Sequence, residues 1–454
     1  MAKGDGQREQ RPRPGRGTRR SSVDRARAAG EDRAVGEIIV ETVAERMVHG
    51  GVALARLGDG RVVMLRGAIP GERVRAVVTP RRGVLEGDVL EALDRSPDRV
   101  PAPGHPGLDY GHVAYPRQLQ LKREVVADAL RRALGPEHDQ APSDVPPVRP
   151  APNAWGYRST VQPACVPAGL GYRRPRTGEV VVLGEDPVAS AAVNRAWAIA
   201  LERGAHRAAG IHELAIRAND EGDALFALVS RAPARKLLPL AHALVAAGVR
   251  GVALSPYDPR GRFRSGAERL AGARTILQRY GDLEVSVGAT SFAQPNPAAA
   301  SELYRTLVAW AGRGDAAWEL YAGSGVIAMH LADRFAEVTA LELDRSAIAR
   351  GERDAERLGI TNVHLVRGDA RSVRIPGAVD LLVVDPPRAG LSTELRAAIV
   401  GSRVPRLLYV SCDVATWARD VADFARQGLR LERFEPFDFY PQTHHVEVLS
   451  LLTR

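Results

Sequence analysis

Two side chains in the C-terminal part of the chain, Cys412 and Glu447, are of the types that carry covalent and acid–base chemistry. Cys412 follows an apolar run that ends at Ser411, and the carboxyl end of a strand is a suitable position for a nucleophile. Glu447 begins a final apolar run, where a carboxylate is costly to bury unless it has a partner or a task. We therefore predict Glu447 as a general base, and we interpret the other cysteine, Cys165, as structural.

A nucleotide-binding pattern precedes these two residues. The run Glu319-Leu320-Tyr321-Ala322-Gly323-Ser324-Gly325 leads into a Gly-x-Gly turn, which lets a cofactor approach the backbone closely. Glu342, seventeen residues beyond Gly325, ends the next apolar run and is placed to accept hydrogen bonds from ribose hydroxyls. Asp369, after the third run, is placed to accept one from an adenine amino group. A nicotinamide fingerprint would have a third glycine near Ile327-Ala328, so a cofactor without pyrophosphate, such as S-adenosylmethionine, fits better.

Two further motifs fall at the same predicted sheet edge. Val384-Asp385-Pro386-Pro387-Arg388 ends an apolar run with two prolines, which force the chain stiffly out of the sheet and hold Asp385 at the ligand edge. The segment 291–296 offers side-chain amides, among them that of Gln294, which suit a cofactor or the edge of a base. Both motifs therefore add polar groups to the predicted ligand site.

The elements that must position these residues follow from hydrophobic periodicity. From Ser291 to Arg454, strand-like apolar runs alternate with stretches of helical periodicity, which is the pattern of a parallel, doubly wound sheet. The predicted strands are Ala317–Tyr321, Val338–Leu343, Val363–Val366, Leu381–Val384, Leu407–Ser411 and one near Glu447–Leu452. Such sheets bind ligands at the carboxyl ends of their strands. We predict an α/β fold with a Rossmann-like domain over residues 289–454.

A small β-barrel is predicted upstream, over residues 37–94. Short Val, Ile and Leu runs alternate there with glycine turns, which indicates about five strands. The Gly50-Gly51 turn and the Pro70-Gly71-Glu72 turn resemble those of a TRAM domain, an OB-like RNA-binding barrel. The arginines that would follow a phosphate backbone are Arg73, Arg75, Arg81 and Arg82. Between barrel and C-terminal domain, residues 95–288 are predicted as an α+β region that begins with a helix over Gln118–Leu134.

Composition and charge exclude several classes of protein. The 454 residues are 45% hydrophobic and 26% charged, as in ordinary globular proteins, and only two are cysteines. A disulfide framework, an all-cysteine metal site and a membrane span are therefore not expected, and we predict a cytoplasmic monomer without a bound metal. The net charge of +9 favours a polyanionic partner. Residues 1–36, with ten Lys and Arg against five Asp and Glu, are predicted to form a disordered basic arm.

Over residues 37–454 the chain resembles the RNA uracil-5-methyltransferase family. The motifs that carry the resemblance are Phe292-x-Gln294-x-Asn296, Leu320-Tyr321-x-Gly323-x-Gly325, Asp385-Pro386-Pro387-Arg388-x-Gly390, Val410-Ser411-Cys412 and Pro441-Gln442-Thr443-x-His445-Val446-Glu447. The resemblance implies methyl transfer from S-adenosylmethionine to carbon 5 of a uridine in tRNA or rRNA, with Cys412 bonded to carbon 6 and Glu447 as the base. The implied cofactor contacts are Gln294, Tyr321, Glu342, Asp369 and Asp385.

Some positions depart from the family pattern. His105-Pro106-Gly107-Leu108 replaces the Cys-Gly-Gly-Cys core of the [4Fe–4S] cluster that many rRNA-modifying members carry, and Asp186 stands near the last ligand, so no iron–sulfur cluster is predicted. Asp413 and Val414 replace the Asn and Pro that usually follow the cysteine. Three alternatives stay open at this point: an RNA cytosine-5 methyltransferase, a non-catalytic RNA-binding protein on the same fold, and a nicotinamide oxidoreductase.

Overall fold

The computed structural model describes residues 38–81, 83–135, 144–261, 263–264 and 266–454. The predicted basic arm, residues 1–36, and the predicted phosphate contact Arg82 lie outside the described residues. No helix in the described part of the chain is long and apolar enough to cross a membrane.

The N-terminal strands close into a barrel, as predicted. The five strands are β1 (Ile38–Val48), β2 (Val52–Arg56), β3 (Val62–Arg66), β4 (Arg73–Arg81) and β5 (Val84–Asp94), and their order around the barrel is β1-β2-β3-β5-β4. Alternate residues point inward, so that Val74, Ala76 and Val78 of β4 are buried while their neighbours are partly or fully exposed. Closure leaves no free sheet edge, which suits so small an all-β unit.

The middle of the chain forms a second sheet flanked by helices. Its strands are β6 (Thr160–Val161), β7 (Ala164–Val166), β8 (Gly169–Arg173), β9 (Val180–Leu183), β10 (Ile211–Ala218), β11 (Ala224–Ser230), β12 (Gly251–Pro256) and β13 (Glu268–Gly272). The order across the sheet is β13-β12-β11-β10-β7-β8-β9, and β6 pairs with β10. Helices α2 (Ala191–Glu202) and α3 (Ala234–Ala246) contribute Trp197 and Leu244 to its core. A separate hairpin follows, β14 (Thr275–Tyr280) with β15 (Leu283–Gly288).

The C-terminal part is the doubly wound sheet that the alternating pattern predicts. Its strands are β16 (Gly314–Leu320), β17 (Phe335–Glu342), β18 (Val363–Arg367), β19 (Leu381–Val384), β20 (Arg406–Ser411), β21 (Arg430–Phe437) and β22 (Glu447–Thr453). The helices between and before them are α4 (Pro297–Ala311), α5 (Val326–Leu331), α6 (Arg345–Leu358), α7 (Thr393–Ser402) and α8 (Val414–Arg426). The strand order is β18-β17-β16-β19-β20-β22-β21, and β22 runs antiparallel to both of its neighbours.

Strand β21 contradicts the prediction that only helical periodicity separates Cys412 from Glu447. Its sequence, RLERFEPF, carries charged residues at exposed positions on the edge of the sheet, and an edge strand needs only one apolar face. The central strand β19 is the opposite case, because all four of its Leu and Val residues are buried by packing on both faces of the sheet.

Helix α1 (Tyr115–Leu134) joins the barrel to the C-terminal sheet. It begins three residues before the predicted start, because Pro116 occupies the first turn, where its missing N–H costs nothing. Leu121 and Val125 pack in the barrel core, whereas Val126 and Leu130 pack in the core beneath α8. One amphipathic helix therefore sets the position of the barrel relative to the sheet. The domain limits 37–94, 95–288 and 289–454 stay predictions.

Candidate active site

The carboxyl ends of the parallel strands open onto a cavity of about 490 Å³. Strands β16, β17, β19 and β20 end there, and β22 begins beside them. Six of the seven residues predicted for the site line this cavity, and they are Gln294, Tyr321, Glu342, Asp385, Cys412 and Glu447. The fold therefore brings the predicted nucleophile and the predicted base into one space with most of the predicted cofactor contacts.

Asp369, the seventh predicted residue, lines an adjoining cavity of about 890 Å³. Tyr321 and Glu342 line both cavities, so the two spaces meet at these side chains. The carboxylate of Asp369 accepts hydrogen bonds from Arg371, with 2.7 Å between its Oδ2 and the guanidinium Nη2. An adenine amino group would share the Asp369 carboxylate with this guanidinium.

The loop after β16 is shaped for a ligand that lies close to the backbone. Tyr321 has a φ of 62°, a strained value for a residue with a side chain, and such strain concentrates at functional sites. Gly323 has a φ of 57°, and a Cβ at this position would project into open space. The Oε2 of Glu342 accepts the Gly323 N–H at 2.9 Å, which ties this loop to the end of β17. The open cradle above Gly323, flanked by an anchored carboxylate, fits a nucleoside cofactor such as S-adenosylmethionine.

Two carboxyl groups, the buried Glu447 and the half-buried Asp385, line the cavity. In the described part of the chain neither forms an ion pair, and Glu447 is only 2% exposed. Burial, reinforced by the neighbouring Asp385, raises the pKa of Glu447 well above its usual range, although Arg388 lowers it. Burial likewise raises the pKa of Asp385. A carboxylate whose pKa lies nearer neutrality is a stronger base, which suits Glu447 for removing a proton.

The thiol of Cys412 lies at the end of β20 and is protonated in this environment. Burial and the two carboxyl groups Glu447 and Asp385 raise the pKa of Cys412 to about 12, while Arg388 lowers it. A neutral Glu447 or Asp385 would remove part of that rise, because the repulsion of a thiolate disappears with the carboxylate charge. The thiolate is therefore expected to form together with substrate binding rather than before it.

The loop that carries Cys412 is held by the barrel. Asp413 caps helix α8, since its Oδ1 accepts the Thr416 N–H at 2.9 Å, and its Oδ2 lies 3.3 Å from Nε2 of His49. His49 belongs to the turn after β1. The hydrogen bond with Asp413 raises the pKa of His49, against burial and Arg388. Asp413, at a position where the sequence comparison predicted Asn, thus links the loop that carries Cys412 to the barrel through His49.

Several cavity residues received no role from the sequence. Phe292 lines the cavity, and its side chain is 77% exposed. The sequence alone does not show that this aromatic ring is exposed, so it gave no reason to predict a role for Phe292. Arg388 donates to Nε2 of His445 at 3.3 Å, and burial lowers the pKa of His445 to about 3, so the imidazole is a neutral acceptor. Arg350, on helix α6, also lines the cavity. Its position there depends on how that helix packs against the sheet, which the sequence alone does not show.

The positions of the iron–sulfur motif hold a hydrogen-bonded group of side chains. The buried carboxylate of Asp186 accepts the hydroxyl of Tyr172 at 2.5 Å and the N–H of Val188 at 3.0 Å. The ring of His105 packs on Tyr172 with 4.4 Å between ring centroids. Within the described ranges, no group of three or more His, Cys, Asp or Glu side chains is arranged to hold a metal ion.

Comparisons with known proteins fit this geometry. A family model described as tRNA (Uracil-5-)-methyltransferase matches residues 377–454, and a methyltransferase-domain model matches residues 318–397. An RNA methyltransferase of Thermosynechococcus vestitus is 32% identical over 452 residues, covering 91% of this chain and 98% of that protein. One of Streptomyces coelicolor is also 32% identical, over 94% of this chain and 97% of that protein.

The chain belongs to the RNA methyltransferase family. Its fold matches the crystal structure of the Pyrococcus abyssi tRNA (uracil-54, C5)-methyltransferase in complex with S-adenosyl-L-homocysteine. That match has a TM-score of 0.74 at 22% identity and covers 91% of this chain and 100% of the other. The methyltransferase is therefore an enzyme, and the nicotinamide oxidoreductase alternative is wrong.

Proposed function

We propose that this methyltransferase transfers a methyl group to carbon 5 of a uridine in tRNA or rRNA through a covalent bond between Cys412 and carbon 6 of the ring. The observation that carries the proposal is the single cavity that Cys412 and Glu447 share with the Gly-x-Gly loop. The Pyrococcus abyssi structure is named for tRNA uracil 54, which makes tRNA the first substrate class to test.

The chemistry explains why these residue types are needed. Carbon 5 of uracil is a poor nucleophile, and addition of the Cys412 thiolate at carbon 6 turns the ring into an enolate whose carbon 5 is electron-rich. Bound S-adenosylmethionine supplies an electrophilic methyl group at a sulfonium centre. Glu447 then takes the proton from carbon 5, the ring double bond re-forms, and Cys412 leaves as the thiolate. Each of the two side chains acts on one of the adjacent ring carbons.

We assign four cofactor contacts to residues at or after the ends of strands β16, β17, β18 and β19 and a fifth to Gln294. Glu342 would accept from ribose hydroxyls, and Asp369 would accept from the adenine amino group. Gln294, Tyr321 and Asp385 would line the remainder of the cofactor site. The open space at Gly323 supports this assignment, because a side chain there would project into the cradle.

The target uridine must leave any base-paired stack to reach the cavity, so RNA is expected to bind with this base unstacked or in a loop. The barrel lies beside the nucleophile loop through His49 and Asp413, which supports a role of the barrel in presenting the RNA. The cytoplasmic location, the monomeric state and the absence of an iron–sulfur cluster stay predictions.

The covalent step is tested with RNA that contains 5-fluorouridine. Fluorine at carbon 5 cannot be removed as a proton, so the wild-type enzyme and S-adenosylmethionine should give a denaturation-resistant protein–RNA complex. Cys412→Ala should give none, and the matched variant Cys165→Ala, whose side chain is half-buried against the core of the middle sheet, should give the wild-type yield. A complex formed by Cys412→Ala would show that this cysteine is not the nucleophile.

The product is identified by mass spectrometry of nucleosides from total tRNA and rRNA of a deletion strain. Loss of 5-methyluridine from one RNA class, restored by the wild-type gene and not by Cys412→Ala, is the expected result. Loss of 5-methylcytidine instead would favour the cytosine-5 alternative. Unchanged nucleosides, together with no binding of S-adenosylmethionine by the purified protein, would contradict the proposed methyl transfer.

A further inference from the structure

A third cavity, of about 360 Å³, lies between the edge of the middle sheet and helix α6. Four arginines line it: Arg269 and Arg274 from the segment around β13, and Arg350 and Arg353 from α6. We call this cavity the arginine groove. It shares Arg350 and Asp344 with the catalytic cavity, so the two spaces adjoin.

The charge of the arginine groove is largely uncompensated. None of its four arginines forms an ion pair within the described residues, and Asp344 is the one acidic residue that the described lining contains. The Asp344 carboxylate already accepts the Ser346 N–H and hydroxyl, both at 2.8 Å. Four guanidinium groups that share one occupied carboxylate repel one another, and a polyanion relieves that repulsion.

A buried arginine lies next to the groove and adds to its positive potential. Arg217 is 6% exposed, forms no ion pair in the described part of the chain, and its Nε has no hydrogen-bond partner. Its Nη2 donates to the carbonyl of Ser291 at 2.7 Å, and Ser291 lines the groove. The next residue, Phe292, lines the catalytic cavity, so one short segment borders both spaces.

Two of the barrel arginines predicted to contact phosphates, Arg73 and Arg75, are in a different electrostatic state. Arg75 pairs with Glu41 at 2.9 Å and with Glu91 at 3.1 Å, and Arg73 pairs with Asp94 at 2.9 Å. These guanidinium groups lie opposite carboxylates of neighbouring strands, which neutralise the face they share. An RNA phosphate would have to displace a carboxylate there, whereas in the arginine groove it would not.

We propose that the arginine groove binds the phosphates of the RNA backbone next to the target uridine, while the uridine itself enters the adjoining catalytic cavity. This inference rests on the proposed function, because it takes RNA as the substrate. Arg269 and Arg274 hold the backbone through phosphate contacts, which position the strand without reading its sequence. The short path along Ser291 and Phe292 connects the backbone site to the base site.

The test measures the salt dependence of binding to a short fluorescent oligouridylate by anisotropy. A plot of log affinity against log salt has a negative slope, and each phosphate contact of a single strand contributes about 0.7 to its magnitude. For the double variant Arg269→Gln with Arg274→Gln, which loses two such contacts, the magnitude of the slope should decrease by about 1.4. The KM for RNA should rise, while kcat at saturating RNA and the affinity for S-adenosylmethionine stay at the wild-type values. The Arg269→Lys with Arg274→Lys variant, which keeps the charges, should retain the wild-type slope.

The comparison variant is Arg73→Gln with Arg75→Gln in the barrel, which removes the same two charges; because these guanidinium groups are already paired with carboxylates, its slope should change less than that of the groove variant. An unchanged slope and KM in the groove variant, or a loss confined to the barrel variant, would overturn the proposal. Failure of the proposed function appears separately, as absence of 5-methyluridine from RNA treated with the wild-type enzyme. The oligouridylate slope does not depend on that product, so the two failures are distinguishable.

Discussion

Buried carboxyl groups occur in two regions of the molecule, and the regions differ in whether a cation lies next to the carboxyl group. At the carboxyl edge of the C-terminal sheet, the buried Glu447 and the half-buried Asp385 form no ion pair within the described residues, and their pKa values are raised. Where α1 and the barrel meet the rest of the chain, buried carboxylates have close cationic partners. Asp438 lies 2.6 Å from Nζ of Lys122, and Glu72 lies 2.6 Å from Nη2 of Arg99.

The difference separates groups that react from groups that hold the fold together. A buried carboxylate costs several kcal/mol unless a cation or hydrogen bonds compensate it, so a paired one is compatible with stability alone. An unpaired one is retained at the expense of stability, which is typical of a site where a proton must move. The three variants below test this comparison, in order of decreasing expected effect.

The largest effect is expected for Glu447→Gln. Methylation turnover should fall by about 10²–10⁴, the usual contribution of a general base, with accumulation of the covalent complex on ordinary RNA. Because the pKa of Glu447 is raised in the folded state, its ionisation costs stability as the pH rises through that pKa. The variant should therefore unfold in urea at the same or a higher concentration than the wild type at pH 7.

The control for this variant is Glu432→Gln, an exposed residue paired with Arg433 on β21. It should change neither turnover nor stability. Wild-type turnover by Glu447→Gln in a single-turnover assay would remove Glu447 from the role of base and would leave its unpaired burial without a catalytic explanation.

A large loss of stability is expected for Lys122→Met. The change leaves Asp438 fully buried without its cation, and breaking a buried pair costs about 3–5 kcal/mol in the free energy of unfolding. The double variant Lys122→Met with Asp438→Asn should recover most of that loss, because no charge then stays buried. Urea unfolding followed by tryptophan fluorescence gives both values. The control is the pair of the exposed Arg132 with the half-buried Asp128, and Arg132→Met should change the free energy by less than about 0.5 kcal/mol.

If Lys122→Met cost less than about 1 kcal/mol, the buried pair would not stabilise this junction. If the double variant were no more stable than the single one, the loss would come from packing around the lysine chain rather than from the unpaired charge. Either result would weaken the contrast between paired and unpaired carboxyl groups.

A smaller, pH-dependent effect is expected for Glu72→Gln. Burial raises the pKa of Glu72, but hydrogen bonds from Arg99 and from the N–H groups of Ile69 and Ser96 outweigh it and lower the pKa below the ordinary 4.5. The stabilisation by Glu72 is therefore present above pH 4.5 and is lost as the pH falls through the lower folded value. The variant should lose about 1–3 kcal/mol at pH 7 and less in acid, as measured by urea unfolding at several pH values.

The exposed Glu91→Gln, which breaks one pair of Arg75, is the control for Glu72→Gln and should show almost no change. A loss for Glu72→Gln that is the same at pH 7 and in acid would mean that hydrogen-bond geometry, rather than the carboxylate charge, stabilises the loop.

Much of the fold was predictable because local patterns and long-range packing agree in it. The bounds of β19, Leu381–Val384, match the prediction residue for residue, since an apolar run flanked by a loop and two prolines leaves little choice. Strand β21 was missed because charged residues interrupt its sequence, three of them exposed, so that it lacks an apolar run. The barrel strands were predicted as a set because glycine turns separate them at regular intervals.

The candidate site was predictable to the extent that its residues follow strands. Cys412, Asp385 and Glu342 come directly at or after strand ends, and parallel strands bring their ends to one edge. His49 was not predicted, because its contact with Asp413 joins segments more than 350 residues apart in the sequence. The arginine groove was not predicted either, because its arginines come from the segment around β13 and from α6, which are far apart in the sequence.

By itself, the order of residues determined the strand ends, the glycine turn, the reactive side-chain types and the excess of positive charge. Only the tertiary structure decided which charges are compensated. Arg75 and Arg274 are the same residue type on the same basic chain, yet one lies against two carboxylates and the other lies in a groove and forms no ion pair with any described residue. Coulomb energy depends on distance and burial, and both are properties of the packed chain rather than of any local run of residues.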